Sequence, residues 1–113
     1  PMPSRELIAA SSTPLVLSIL AEGDNYGYAI LQRVLELSGG RIEWTEGMLY
    51  PVLHRLERDG RITAEWRQAD SGRERKYYRL TAKGRKGLQQ ERADWMATHQ
   101  TLEKLWKLSP ALT

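Results

Sequence analysis

The chain has 113 residues, of which 27% are charged and none is cysteine. That length suits one compact domain and a little more; the missing cysteines exclude disulfides, thiolate nucleophiles and cysteine zinc sites, and no run reaches the ~20 apolar residues of a membrane-spanning helix. The net charge is only +3, but Arg61 to Lys86 holds nine basic residues against three acidic ones, leaving the remainder at −3, an asymmetry that suits a polyanionic partner or a solvated basic face.

In chain order, the opening PMPSRELIAA lacks the basic-then-apolar order of a secretory signal, so a cytoplasmic protein is expected. Pro1 to Pro3 are given no structural role. A short helix is predicted from Ser4 to about Ala10, separate from the next helix or joined to it with a kink at Pro14. Thr13-Pro14 reads as an N-cap followed by proline at the first helical position. Leu15, Val16, Leu17, Ile19 and Leu20 then cover almost every direction, so this helix should be largely buried, and Gly23 ends it.

Asp24 and Asn25 are cap candidates for a second helix. Its apolar positions Ile30, Leu31, Val34 and Leu37 have helical spacing, and Ser38-Gly39-Gly40 stops it. Ile42 and Trp44 alternate with charged neighbours, which predicts a short strand. Thr45 caps a third helix and Gly60 terminates it. Two strands follow, RITAEWRQ with Ile62, Ala64 and Trp66 alternating, and RKYYRL with Tyr78 and Leu80 on one face. ADSGRE joins them as a hairpin loop. Thr81 then caps a long helix to about Leu108. The class is mainly α with a small β-hairpin (α+β), in the order of a winged helix-turn-helix.

The third helix has two unlike faces. Leu49, Val52, Leu53 and Leu56 share the side that packs on the core. The opposite side is centred on Gly47, Pro51, His54 and Arg58, flanked by Tyr50 and Arg55. Folding alone gives little reason for that side, and Pro51 costs about 3 kcal/mol unless it sits in the first turn, which a start near Met48 would allow. A short helix with basic and hydrogen-bonding groups outward fits the major groove of duplex DNA; a solvated helix face is the plain alternative. The hairpin tilts the choice, because Arg73, Arg75 and Lys76 lie at or beside its loop. Arg75, Tyr77 and Arg79 alternate with Lys76, Tyr78 and Leu80, so one strand face can be basic while the other meets the core. The expected DNA-contacting set is therefore Gly47, Tyr50, Pro51, His54, Arg55, Arg58, Arg73, Arg75, Lys76 and Tyr77.

Three stretches, GDNYGYAILQRV, EGMLYPVLHRLERDGRITAEW and GRERKYYRLTAKGR, resemble the PadR family of winged-helix transcriptional repressors. The likeness covers roughly residues 12–87 in unbroken order. Its motifs are specific in combination: glycine-tyrosine after the first helix, Leu-Tyr-Pro with Arg-Leu-Glu and Gly, and Lys-Tyr-Tyr-Arg-Leu-Thr with a later Gly. The resemblance implies that Tyr50, His54 and Arg55 lie on a recognition helix and that Arg73, Arg75 and Lys76 lie on a wing. It also implies that Tyr26 and Tyr28 lie near the DNA-facing side. The single C-terminal helix is similar to that of small members, which dimerise through it and the N-terminal helix. On this reading residues 1–80 form the DNA-binding domain and 81–113 a dimerisation helix.

Along that last helix Leu88, Trp95 and Leu102 recur at seven residues, with Arg92, His99 and Trp106 four places after each. Met96 and Leu105 widen the stripe. A partner chain explains it economically, with Leu88, Trp95, Leu102 and Trp106 at a two-fold interface; folding back on the body is the alternative. Small PadR-like proteins with a drug-binding role are similar in having a tryptophan at the place of Trp95, paired across the dimer around planar apolar compounds. The resemblance implies an effector site at Trp95, Met96 and His99, with Leu7, Ala10 and Pro14 as the other wall. Arg92 and His99 make this pocket more cationic than that pattern and favour aromatic acids. A plain interface anchor is the competing reading of Trp95.

The expected partners are a pseudo-palindromic DNA duplex, a second copy of the chain and a small aromatic or planar apolar effector, with no membrane and no cofactor. No Ser-His-Asp pattern, phosphate-cradling loop or HExxH occurs, so an enzyme is not expected. A winged-helix module that binds only protein is the main competitor. A metal-responsive regulator using His54 or His99 is the weaker one.

Overall fold

The computed structural model describes residues 2–109. Its elements are α1 (Arg5–Glu22), β1 (Asn25–Tyr26), α2 (Gly27–Leu37), α3 (Glu46–Arg58), β2 (Ile62–Gln68), β3 (Glu74–Leu80) and α4 (Ala82–Leu108). The mainly helical winged arrangement predicted from the sequence is present. The hairpin gains a third short strand: the order is β1-β3-β2, with Asn25 opposite Tyr78 and Tyr26 opposite Tyr77. β2 and β3 pair antiparallel from Ile62–Leu80 out to Gln68–Glu74.

One core holds the body together. Val16, Leu17, Ile19 and Leu20 of α1 meet Ile30 and Val34 of α2, and Leu49, Val52, Leu53 and Leu56 of α3. Ile62, Tyr78 and Leu80 close it from the sheet. The four α3 residues are those picked out by helical spacing, and each is buried. Burial also pushes the Tyr78 phenol up to about 12, with nearby Tyr50 and Glu57 adding to the effect.

Caps at α3 and α4 follow local chemistry. The Thr45 side chain accepts from the Met48 N–H, and the Thr81 side chain from the Gly84 N–H. Gly60, with φ +74, sits just past α3 in the left-handed region that glycine tolerates best. Thr81 also donates its hydroxyl to the Gly60 carbonyl, and Lys83 donates to that of Asp59, tying the start of α4 to the end of α3.

Three local readings are corrected. The first helix is continuous: Ser4 caps it, and Pro14 lies inside it rather than at its first position behind Thr13. The missing N–H leaves the Ala10 carbonyl without its helical donor, on an exposed residue where water can supply one. Asp24 and Asn25 do not cap α2; Tyr26 precedes it with no side-chain cap bond, and Asn25 is taken into β1. Ile42 and Trp44 form no strand. Trp44 instead plugs the core at 5% exposure, its indole N–H covered and without an acceptor among the described residues. An orphaned donor of that kind costs about 1–3 kcal/mol.

The two halves of α4 differ in exposure. Leu88 packs against the core and Trp95 is half-buried, whereas every residue from Met96 to Leu108 is exposed. The molecule is accordingly elongated, 58 × 30 × 21 Å.

Candidate nucleic-acid interface

On α3, residues Gly47, Pro51, His54 and Arg58 all stand exposed, opposite the buried leucine and valine face. Pro51 lies in the second turn of a helix that begins at Glu46, not in its first turn. The Gly47 carbonyl therefore lacks its helical donor and stays open on the outer face. Tyr50 is only half-exposed, and its position explains the glycine-tyrosine motif. A Cβ at Gly27 would lie 2.6 Å from the Tyr50 hydroxyl, so glycine is what lets the tyrosine lie across the start of α2. Tyr50 and His54 neighbour each other, ring centroids 6.3 Å apart. Arg55 turns aside from this row and donates to the Thr13 hydroxyl of α1.

The wing is held to the body by an aromatic and ionic cluster. Tyr26 of β1 meets Tyr77 of β3 edge-on at 5.4 Å. Arg75 lies over the Tyr26 ring at 4.3 Å, and Arg67 over the Tyr77 ring at 4.8 Å. Asp24 anchors both strands from beneath, accepting from Arg67 at 2.7 Å and Arg79 at 3.0 Å. Those two hydrogen bonds, Arg67's first, hold the Asp24 carboxyl below its ordinary value. Arg73 is exposed at the loop, and Lys76 is half-buried with its ammonium 3.9 Å from Glu57 of α3.

Helix α3 and the β2–β3 ribbon thus enclose a cleft of about 500 Å³ that brings Tyr50 together with Arg73, Arg75 and Lys76, alongside Tyr26, Tyr28 and two acidic residues, Glu46 and Glu74. Tyr77 is outside the cleft lining, packed within the wing. Trp66 lines the cleft as well, 67% exposed. It alternates with Ile62 and Ala64 along β2, but the ribbon outruns the core. Ile62 is buried, Ala64 half-buried and Trp66 open. A planar apolar surface beside several cations is the composition that nucleic acids meet by stacking and charge.

The residues expected around an effector are spread along α1 and α4. Leu7 and Met96 are each 48% exposed, Ala10 and His99 are exposed, and Pro14 and Trp95 are half-buried. His99 is 3.5 Å from Glu103 on its own helix. A hollow of about 140 Å³ lies at Asp94, Trp95 and Thr98. The expected interface positions Leu102 and Trp106 are 39% and 49% exposed, whereas Leu88 is half-buried against the chain's own core. Among the described residues no group of three or more His, Asp or Glu side chains is placed to hold a metal, and no helix is long and apolar enough to cross a membrane.

Residues 16–90 match the transcriptional regulator PadR-like family. A transcriptional regulator of Mycobacterium tuberculosis is 40% identical over 88 residues, 78% of either chain. Among solved structures, a transcriptional regulator from Clostridium thermocellum superposes with a TM-score of 0.82 at 30% identity, over 91% of this chain and 97% of the other. A PadR-family regulator from Eggerthella lenta does so with a TM-score of 0.75 at 35% identity, over 88% and 85%.

Proposed function

The chain belongs to the PadR-like family of transcriptional regulators, and on that premise we propose that it is a homodimeric repressor that holds a pseudo-palindromic DNA operator and releases it on binding a small planar apolar or aromatic ligand at the dimer interface. The observation that carries the DNA-binding part is the cleft in which Tyr50 faces Arg73, Arg75 and Lys76. Gly47, Pro51, His54 and Arg58 enter the major groove from α3, and the wing arginines meet the flanking backbone. Tyr77 acts from within the wing, holding it in place. Arg55 joins them when it leaves Thr13.

Dimerisation is supported by the exposed apolar end of α4, where Leu102, Leu105, Trp106 and Leu108 are 39–80% exposed. Stripes of this kind on a helix standing clear of its body are covered by a partner. Two copies about the two-fold axis place their recognition helices about one DNA turn, ~34 Å, apart. Trp95, the last half-buried residue of α4, is the ligand's expected neighbour, with Met96, His99, Leu7, Ala10 and Pro14 around it.

The test is selection on random duplex DNA, followed by affinity measured at two salt concentrations. A two-half-site sequence with strongly salt-dependent binding is the expected result. No preference, and no binding even in dilute buffer, would leave a module that contacts only protein.

A further inference from the structure

A cavity of about 630 Å³ lies between the first turns of α1 and the flank of α3, and none of Leu7, Ala10, Pro14, Trp95, Met96 or His99 lines it. Its walls are apolar, with Ile8 from α1, Met48 and Val52 from α3, and Trp44 from the loop between α2 and α3. Two guanidinium groups, Arg5 and Arg55, complete it, and among the described residues no acidic side chain lines it. Among the described residues neither arginine enters an ion pair. Trp44 adds a donor with no acceptor. An apolar chamber with two uncompensated cations is complementary to an apolar body that carries one negative, hydrogen-bond-accepting head.

We propose that this cavity is an effector site for a medium-chain carboxylate, whose head engages Arg5 and Arg55 and whose chain lies among Ile8, Met48 and Val52. A carboxylate matches the guanidinium fork better than a neutral hydroxyl does, so the ligand draws Arg55 away from Thr13 and holds it in the cavity. The Trp44 N–H is covered, so an acceptor reaches it only as the lining shifts. Met2 and Met48 are the unbranched, adaptable members able to do that. The consequence for DNA rests on the duplex-binding reading above: an Arg55 held by the ligand is withheld from the operator. By reciprocity, DNA weakens the ligand by the same factor.

The full-length protein is titrated calorimetrically with octanoate, with octan-1-ol as the uncharged control. In parallel, duplex affinity is followed with and without octanoate. One octanoate per chain is expected, with octan-1-ol at least tenfold weaker. Arg5→Gln, outside the DNA-facing set, should lower octanoate affinity about tenfold, leave duplex affinity unchanged and abolish octanoate's effect on it. Trp44→Phe should weaken octanoate several-fold without lowering the ligand-free melting temperature. Equal binding of octanoate and octan-1-ol would overturn the proposal. So would one octanoate per dimer lost in Trp95→Ala, or an Arg5→Gln change that alters only the monomer–dimer balance, which would make the cavity a seat for a second copy. If the wild type ignores DNA while calorimetry still finds the octanoate site, the duplex reading fails and the site stands; DNA binding without octanoate binding is the reverse outcome.

Discussion

Arg75 spends its planar face on the Tyr26 ring, which fixes the guanidinium without neutralising it. A cation held in this way meets a phosphate with little ordering cost. Arg75→Ala should weaken binding to all duplexes alike and reduce the slope of log affinity against log salt by about 1; an unchanged slope would remove the wing from the interface. Asp24 works in the opposite sense, since its carboxylate occupies Arg67 and Arg79. Asp24→Asn should free both arginines, raising affinity for arbitrary DNA while lowering the ratio of specific to non-specific binding. The same residue predicts an acid effect. Its folded carboxyl titrates below the ordinary 3.8, so its contribution to stability is present above that value and lost as pH falls through the lower folded one. Urea titrations from pH 5 down to pH 2 should show a shallower acid decline in Asp24→Asn. None of this was legible locally: Asp24-Asn25 has the composition of a helix cap, while the partners of Asp24 lie 43 and 55 residues away.

Among the elements, the helices whose ends are set by their own neighbours were the readable ones. Thr45 and Thr81 cap within a few residues of themselves, so α3 begins after Thr45 and stops just before Gly60, and α4 begins after Thr81. Thr13-Pro14 carries the same local signature, yet the helix already running from Ser4 overrides it. The Ile42–Trp44 alternation failed for a related reason, because Trp44 is placed by the core and not by a neighbouring strand. The two glycines of the α4 start are distinguished only by what lies opposite. A Cβ at Gly84 would meet the Arg61 carbonyl oxygen, a backbone atom that cannot step aside, and would press on Leu80. A Cβ at Gly87 finds only the Arg61 guanidinium at 3.5 Å. Gly84→Ala should therefore cost about 1–3 kcal/mol or more, and Gly87→Ala should be neutral or stabilising by up to about 1 kcal/mol. Denaturant unfolding of the pair checks this, and equal effects would refute the close approach of α4 to Arg61.

For the whole molecule, the apolar stripe of α4 was visible in the sequence, but where it leaves the body was not. The break falls after Trp95, beyond which every described residue up to Leu108 is exposed. Leu102→Glu combined with Trp106→Glu should give a monomer in sedimentation, with the melting of the body little changed. Duplex affinity should then fall about 10²-fold or more as two-site attachment is lost. Trp95→Ala should spare duplex affinity and remove quenching of tryptophan fluorescence by 2-naphthol; full quenching in the variant would reduce Trp95 to an anchor. The molecule's 58 Å length also gives its free helical end a mechanical meaning. In a symmetric pair that end is the axle and each winged body the arm, so a few degrees of turn at the axle sweeps the DNA-reading edges through several ångström while neither body rearranges inside.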